Sequence, residues 1–368
     1  VRSKAVCAKA ICAVFLASFS AFGQSTTVPL QSYLRNNSFV NWESPHVHPL
    51  DITPDGTKLL AVNTANNSLE VYTPNGATLT FVQSIPVGLD PVTVRARTNT
   101  EAWVVNVISD SVSIVDLTDG IVTKTLQVND EPADVIFAGG SQSLALVSCA
   151  QAKTVLVFSA TSPSTPTATI PINGEQPRAL AVDPTGRFVY LAIFESGNAT
   201  TAVVGGVSNG FENDLVRNPN GPYGGVSVPP NNGAVFNPPF NPALPPPPPV
   251  SLIVKRTVVG GAVQWLDDNL KDWSQFISGA PSSLPSTAGN RVKGWDISDR
   301  DVAIIDTTNN SVSYQSGVMN ILMAIGVNPA TNEITVVGTD ATNQIRFEPV
   351  LQSTFIHVNF ARFTQGGA

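Results

Sequence analysis

The chain has 368 residues, with 20 Lys+Arg against 27 Asp+Glu, a formal net charge of −7 and only 13% charged residues. No basic block offsets this acidic balance, so nucleic acid and anionic membrane surfaces are excluded as main partners. The length is ample for a sizeable core.

Taken from the N-terminus, Arg2, Lys4 and Lys9 precede a mostly apolar run from Ala10 to Phe22, and Ala21-Phe22-Gly23 stands before Gln24. This three-part form predicts a secretory signal peptide over 1–23, followed by a linker over 24–37. The run is too short and too serine-interrupted to span a bilayer, and no later stretch suggests membrane insertion. Export then implies the periplasm, the cell surface or the medium. Cys7 and Cys12 fall in the leader, which leaves Cys149 without an internal disulfide partner. It is expected to be a small buried hydrophobe rather than a nucleophile. There is no Cys-x-x-Cys-His and no zinc-like spacing, and no cofactor is expected.

From residue 38 onward a unit of just over forty residues recurs. Its central hairpin reads KLLAVNTANNSLEVY (58–72), EAWVVNVISDSVSIVD (101–116), SLALVSCAQAKTVLVF (143–158) and RFVYLAIFESGNATT (187–201). The matching positions are Asn63, Asn106, Ser148 and Ala192, and a late copy, EITVVGTDATNQIRF (333–347), has Gly338 there. Pro91, Pro132 and Pro177 mark the arrival of each first strand, while Pro54-Asp55-Gly56 and Pro184-Thr185-Gly186 make the tight turn after it. Alternation within the strands supplies apolar faces that a lone sheet cannot bury. Radial stacking of four-stranded sheets solves this, and the period is that of propeller blades.

The fold class is therefore all-β, a β-propeller of about six or seven four-stranded blades over 38–368. Third strands are proposed at 69–72, 112–116, 155–158, 252–256, 302–306 and 345–347. The ring is either incomplete or closed by pairing SFVNW (38–42) with C-terminal strands such as STFIHVNFARF (353–363). A further domain or subunit is the other means of completing it. Residues 204–250 form a Gly/Asn/Pro-rich insertion. Its Phe211, Tyr223, Phe236 and Phe240 are expected either to anchor it on the propeller or to display it to a partner. An irregular segment at 264–296 reads as a short helix plus loop.

Trp103, Val104, Asn106, Ser111, Val112, Ile114 and Asp116, with Ala61, Asn63, Ser68, Leu69 and Val71, form a core that resembles the YVTN family of propeller repeats. That family is grouped with the YncE-like and surface-layer-like propellers. GLDPVTV and AVDPTGRFVYLA match its lead-in segments. The likeness covers 45–204 strongly and 251–350 patchily. It implies an exported protein of unassigned biochemistry, with a more distant resemblance to lactonase and quinoprotein propellers. Ser148, Ala192 and Gly338 depart from the family asparagine, so Asn63 and Asn106 read as structural, bonding turn backbone.

The sequence points to a binding or scaffolding module at the cell surface or in the periplasm, taking a protein or surface glycan on its loop face. The alternatives are a lactonase-like propeller hydrolase and a metal-binding propeller. Catalysis is left open but weighed against, and no catalytic or cofactor-binding residue is assigned. Asp183, Glu195 and Asp51 show no obvious convergence, and Asp183 is explained as a turn cap. His46 and His48 alternate, so a strand would put both on one face, with His357 approaching if the ring closes. Calcium at 338–344 or 116–120 is the remaining metal option; ordinary Asx turns explain both stretches.

Overall fold

The computed structural model describes residues 45–197, 199–204, 219–225, 251–267, 269–277, 299–341 and 356–365. The fold is an all-β propeller, carried among the described residues by six antiparallel sheets. The first is β1 (Leu50–Ile52), β2 (Leu59–Asn63), β3 (Ser68–Asn75) and β4 (Thr78–Pro86). The second is β5 (Pro91–Ala96), β6 (Glu101–Asn106), β7 (Ser111–Asp116) and β8 (Ile121–Gln127). The third is β9 (Pro132–Ala138), β10 (Leu144–Cys149), β11 (Thr154–Ser159) and β12 (Ala168–Pro171).

The fourth sheet is split in sequence. It orders β13 (Glu175–Val182), β14 (Phe188–Glu195), β18 (Val302–Asp306) and β19 (Ser311–Gln315). Between β14 and β18 the chain makes a separate three-stranded sheet of β15 (Thr200–Val204), β16 (Ser251–Val259) and β17 (Ala262–Leu266), followed by a short helix, α1 (Ser274–Ile277). The remaining sheet is β20 (Ile321–Val327), β21 (Ile334–Ala341) and β22 (Ile356–Phe363).

One of the third strands proposed from the sequence keeps that role and another does not. Residues 302–306 are the third strand of the fourth blade, pairing Val302–Asp306 with Ala192–Phe188. Residues 252–256 belong to the inserted sheet, in which Val204 lies opposite Ser251. The pattern of a β-strand is the same in both places; only the long-range partner differs. Residues 38–42 and 345–347 lie outside the described residues, and β22 pairs with β21.

Period-2 alternation builds the core. On β6, Trp103 and Val105 face the third sheet with Val135, Phe137 and Val147, whereas Ala102 and Val104 face the first with Leu60, Leu69 and Val71. On β14, Leu191 and Ile193 pack toward the third sheet with Leu146 and Val155, while Tyr190 and Ala192 pack toward Leu322, Ile334 and Val336. Each fully buried Leu, Ile or Val contributes about 1.5–3 kcal/mol, and the second, third and fourth blades are held in this way from both sides. Cys149 sits in the layer between the second and third blades, where burial pushes its thiol up to about 12. It is the inert hydrophobe the sequence suggests.

The repeat positions prove to be backbone devices. Asn63 Oδ1 accepts the Asn66 N–H at 3.2 Å, and Asn106 Nδ2 donates to the Ser111 carbonyl, Ser111 Oγ and Ser113 Oγ. Ser148 Oγ donates to the Arg178 carbonyl at 2.6 Å, tying the third blade to the fourth. At Gly338 a Cβ would lie 1.9 Å from the Ile321 carbonyl oxygen, so only glycine fits. A second device joins neighbouring blades. The left-handed residues Asn67 and Asp110 (φ 55° and 46°) accept, through Oδ1, the N–H of Asp90 and Glu131, which are left-handed as well. Asn and Asp tolerate that backbone, and their short side chains reach the next blade from it.

Candidate functional site

The first strands of successive blades lie side by side around the ring axis. His48, just ahead of β1, forms a parallel bridge with Thr93 of β5, and Thr93 Oγ1 donates to the Ala133 carbonyl of β9 at 2.8 Å. Polar side chains from three blades and a backbone segment of the fourth meet along this line. Arg95 of β5 donates through Nε and Nη2 to the two carboxylate oxygens of Asp134 on β9, at 3.3 and 3.0 Å. Its Nη2 also reaches the Leu180 carbonyl on β13 at 3.1 Å. Asp134 is almost completely buried, and it accepts two backbone N–H groups as well, from Val135 and Leu180, each at 2.8 Å. A buried carboxylate with four hydrogen bonds, two of them from one guanidinium, is a fixed clamp across three blades.

His48 stands in the field of this clamp. Burial pulls its imidazole below the ordinary value of 6.5, and the Arg95 charge lowers it further, against the opposing pull of Asp134 and Asp51. The imidazole is therefore neutral at pH 7, able to accept a proton. Asp51 is held by the Ala96 N–H on the neighbouring blade at 2.7 Å. His46 does not share the site. It precedes the first described strand, and its Nε2 pairs with Thr64 Oγ1, whose own proton goes to the Pro91 carbonyl. His357 lies on β22 opposite Asp340. Among the described residues no group of three or more His, Cys, Asp or Glu side chains could hold a metal ion.

A second group lies at the end of the ring where the blade-to-blade connections enter. Arg178 of β13 stacks on the Phe194 ring, its guanidinium carbon 4.1 Å from the centroid, and donates to Gln176 Oε1 at 2.9 Å. Burial lowers the Arg178 pKa, while Glu131 and Glu195 raise it. The chain departs for the inserted sheet immediately after Glu195, so the insertion springs from this rim. Tyr223 anchors that excursion on its own sheet, packing near Trp273 and donating to the buried Asp267 at 2.8 Å. Phe211, Phe236 and Phe240 lie outside the described residues.

Of the acidic residues singled out from sequence, Asp51 and Glu195 thus join two different charged groups. Asp183 caps its turn, accepting from Thr185 and from the Phe188 N–H. Asp116 caps likewise, accepting the N–H groups of Thr118 and Asp119. The sequence reading missed Arg95, Asp134 and Arg178. The available signal was one charged residue at a buried or half-buried position in each of three first strands.

Residues 30–209, just under half of the chain, match the family model described as "Lactonase, 7-bladed beta-propeller". That span contains His48, Arg95, Asp134, Arg178 and Glu195. The match overturns the weighing against catalysis made from sequence, since the model matched is that of a family named for an enzyme. No curated protein matches the chain. Among solved structures, hydrazine synthase from Kuenenia stuttgartiensis is 15% identical over 82% of this chain and 80% of that one, with a TM-score of 0.40. A putative 6-phosphogluconolactonase from Bacteroides uniformis is 15% identical over 85% and 87%, with a TM-score of 0.39. A functionally unknown protein from Desulfotomaculum acetoxidans is 10% identical over 78% of each chain, with a TM-score of 0.40. Likenesses this low carry no argument about activity. Among the described residues no helix is long and apolar enough to cross a membrane.

Proposed function

We propose that the chain is an exported propeller hydrolase that opens cyclic esters, with His48 as general base and Arg95 facing the developing oxyanion. One observation carries this reading: a neutral imidazole, a guanidinium and two carboxylates converge on the ring axis, inside the span that matches the lactonase-type model. The leader-like residues 1–23 and the YVTN-like repeats over the propeller at 38–368 support a setting at the cell surface or in the periplasm.

In this mechanism His48 takes a proton from water as the water oxygen bonds to the lactone carbonyl carbon. The carbonyl electrons move onto oxygen, beside the Arg95 edge that Asp134 leaves uncovered. Collapse of the adduct breaks the ring C–O bond. The imidazolium returns its proton to the leaving alkoxide, and the product is a hydroxy acid.

The test is acid release from a panel of γ- and δ-lactones followed by pH-stat. The His48→Gln variant should keep its β-sheet circular dichroism and lose about 10²–10³ in kcat/KM. Wild-type activity should rise with pH and level off before neutrality, because the imidazole loses its proton below its ordinary value. A folded wild-type protein inert toward every lactone would remove the hydrolase reading. Unchanged rates in the variant would remove His48 from it.

A further inference from the structure

The last sheet of the ring stops one strand short. In the first three blades the third strand is covered by a fourth, β3 by β4, β7 by β8 and β11 by β12. β22 is the third strand of its sheet, and among the described residues no strand pairs with its outer edge. Its bare main chain can be located. The Asn328 N–H donates to the Glu333 carbonyl, so alternate residues of β21 counted from 333 bond toward β20, and those between them bond toward β22. With Asn359 opposite Gly338, the odd-numbered residues of β22 carry that ladder, and the even-numbered ones turn their N–H and C=O outward. The Phe360 N–H agrees, for it donates at 2.9 Å to the side chain of its own neighbour, Asn359 Oδ1. The same even-numbered positions are mostly apolar and stand clear of the core. Ile356, Val358 and Phe360 are 59%, 84% and 60% exposed, with Phe360 opposite Val337 on the face turned away from the buried Ile334 and Val336.

We propose that β22 docks on β22 of a second copy of this chain, antiparallel across a two-fold axis, so that the two sheets become one. The way this ring covers its third strands points to that occupant. Each of β3, β7 and β11 is covered by an antiparallel strand, and a two-fold axis normal to the sheet supplies one to β22. The edge is also unguarded. Strand edges that stay free are blunted by lysine, proline or inward-pointing charge, and the eight residues Ile356–Phe363 hold no lysine, proline or carboxylate. The two basic side chains of β22 are answered within its own sheet. Arg362 Nη1 lies 3.5 Å from Glu333 Oε2, and His357 stands opposite Asp340. Two such edges can therefore meet without opposing uncompensated like charges. The strand period fits as well. A two-fold normal to the sheet keeps the faces of both copies on the same sides, so residues pair only where their numbers sum to an even value. The register centred on Asn359 sets Val358 against Phe360 of the second copy, and the symmetry repeats that pair. It places Arg362 beside Ile356 and His357 beside Ala361. The outward N–H and C=O groups of Val358 and Phe360 then bond across the axis, and Asn359 releases the Phe360 N–H.

Sedimentation velocity of the full chain from about 1 to about 100 μM tests this, with hydrogen exchange as the second readout. The wild type should pass from monomer to dimer across that range. The Val358 and Phe360 amides should gain protection as concentration rises, while β6 and β10 hold theirs unchanged. Val358→Lys should keep its β-sheet circular dichroism and weaken association by about a hundredfold, since the two-fold counts a tenfold penalty twice. A wild type that stays monomeric at the upper concentration would overturn the proposal. If the Val358 and Phe360 amides of that monomer were already protected, the edge would belong to a segment of the same chain, such as SFVNW (38–42). A dimer left intact by a folded Val358→Lys would overturn it too. If that variant does not fold, the wild type still decides, because a dimer whose Val358 and Phe360 amides gain no protection must be joined elsewhere.

Discussion

Asp134 and Asp301 are both buried aspartates at joints between blades, yet one is saturated with donors and the other is not. Asp134 receives Arg95 through two atoms and two backbone N–H groups besides. Asp301 accepts the Val318 N–H, has the Ser196 hydroxyl and the Met319 N–H nearby, and keeps one oxygen outside hydrogen-bond geometry. The contrast shows that burial alone does not fix what a carboxylate does in this ring. Complete pairing makes a permanent clamp, which can hold Arg95 still beside His48. Incomplete pairing leaves a carboxyl that burial raises to about 6, so its contribution to stability is lost as pH rises through that value.

The largest expected effect comes from breaking the saturated joint. Asp134→Ala strands the Arg95 charge and two N–H groups, and should cost about 3–5 kcal/mol in urea unfolding. A cost near zero would show that the ring does not depend on the clamp. The opposite sign is expected at the unsaturated joint. At pH 7.5 Asp301→Asn removes a carboxylate held about two units above its unfolded value, and should stabilise by up to about 3 kcal/mol. That gain should disappear below pH 4, where both states carry the neutral acid, and a gain independent of pH would contradict the assignment. The smallest effect tests an ordinary neutral bond between blades. Asn67→Ala removes the acceptor for the Asp90 N–H and the side chain best suited to its left-handed backbone, and should cost about 1 kcal/mol.

The hairpins, their period and the propeller were legible because they are written within forty residues. Alternation around Trp103 and Leu191 states the two packing faces directly, and Asp183 announces its own turn. The fourth blade was not legible in the same way. Residues 252–256 and 302–306 are equally good strands, and only the long-range partner of β14 decides between them. The site was hidden for a related reason. Arg95, Asp134 and Leu180 meet across three blades, so no local window holds more than one of them. Asp51 and Glu195 were visible as candidates, but their grouping with His48 and with Arg178 exists only once the ring is formed. Asn63 and Asn106 were read correctly as backbone ligands, whereas the blade-to-blade role of Asn67 and Asp110 depends on a left-handed backbone that sequence does not display.

The split of the fourth blade also sets a timetable for synthesis. β14 leaves the ribosome with its partner β18 more than a hundred residues behind it. At typical elongation rates that is a delay of about 5–20 seconds. The first three blades complete themselves in order, but β14 must wait with one hydrogen-bonding edge open, next to the exposed side of a growing core. The inserted sheet, with its own ladder and its own tryptophan cluster, gives the intervening chain something to fold into during that interval. The nascent chain is therefore most vulnerable to mispairing between the emergence of Glu195 and that of Val302, and slowing translation in that stretch should lower the yield of native protein more than slowing it anywhere in the first three blades.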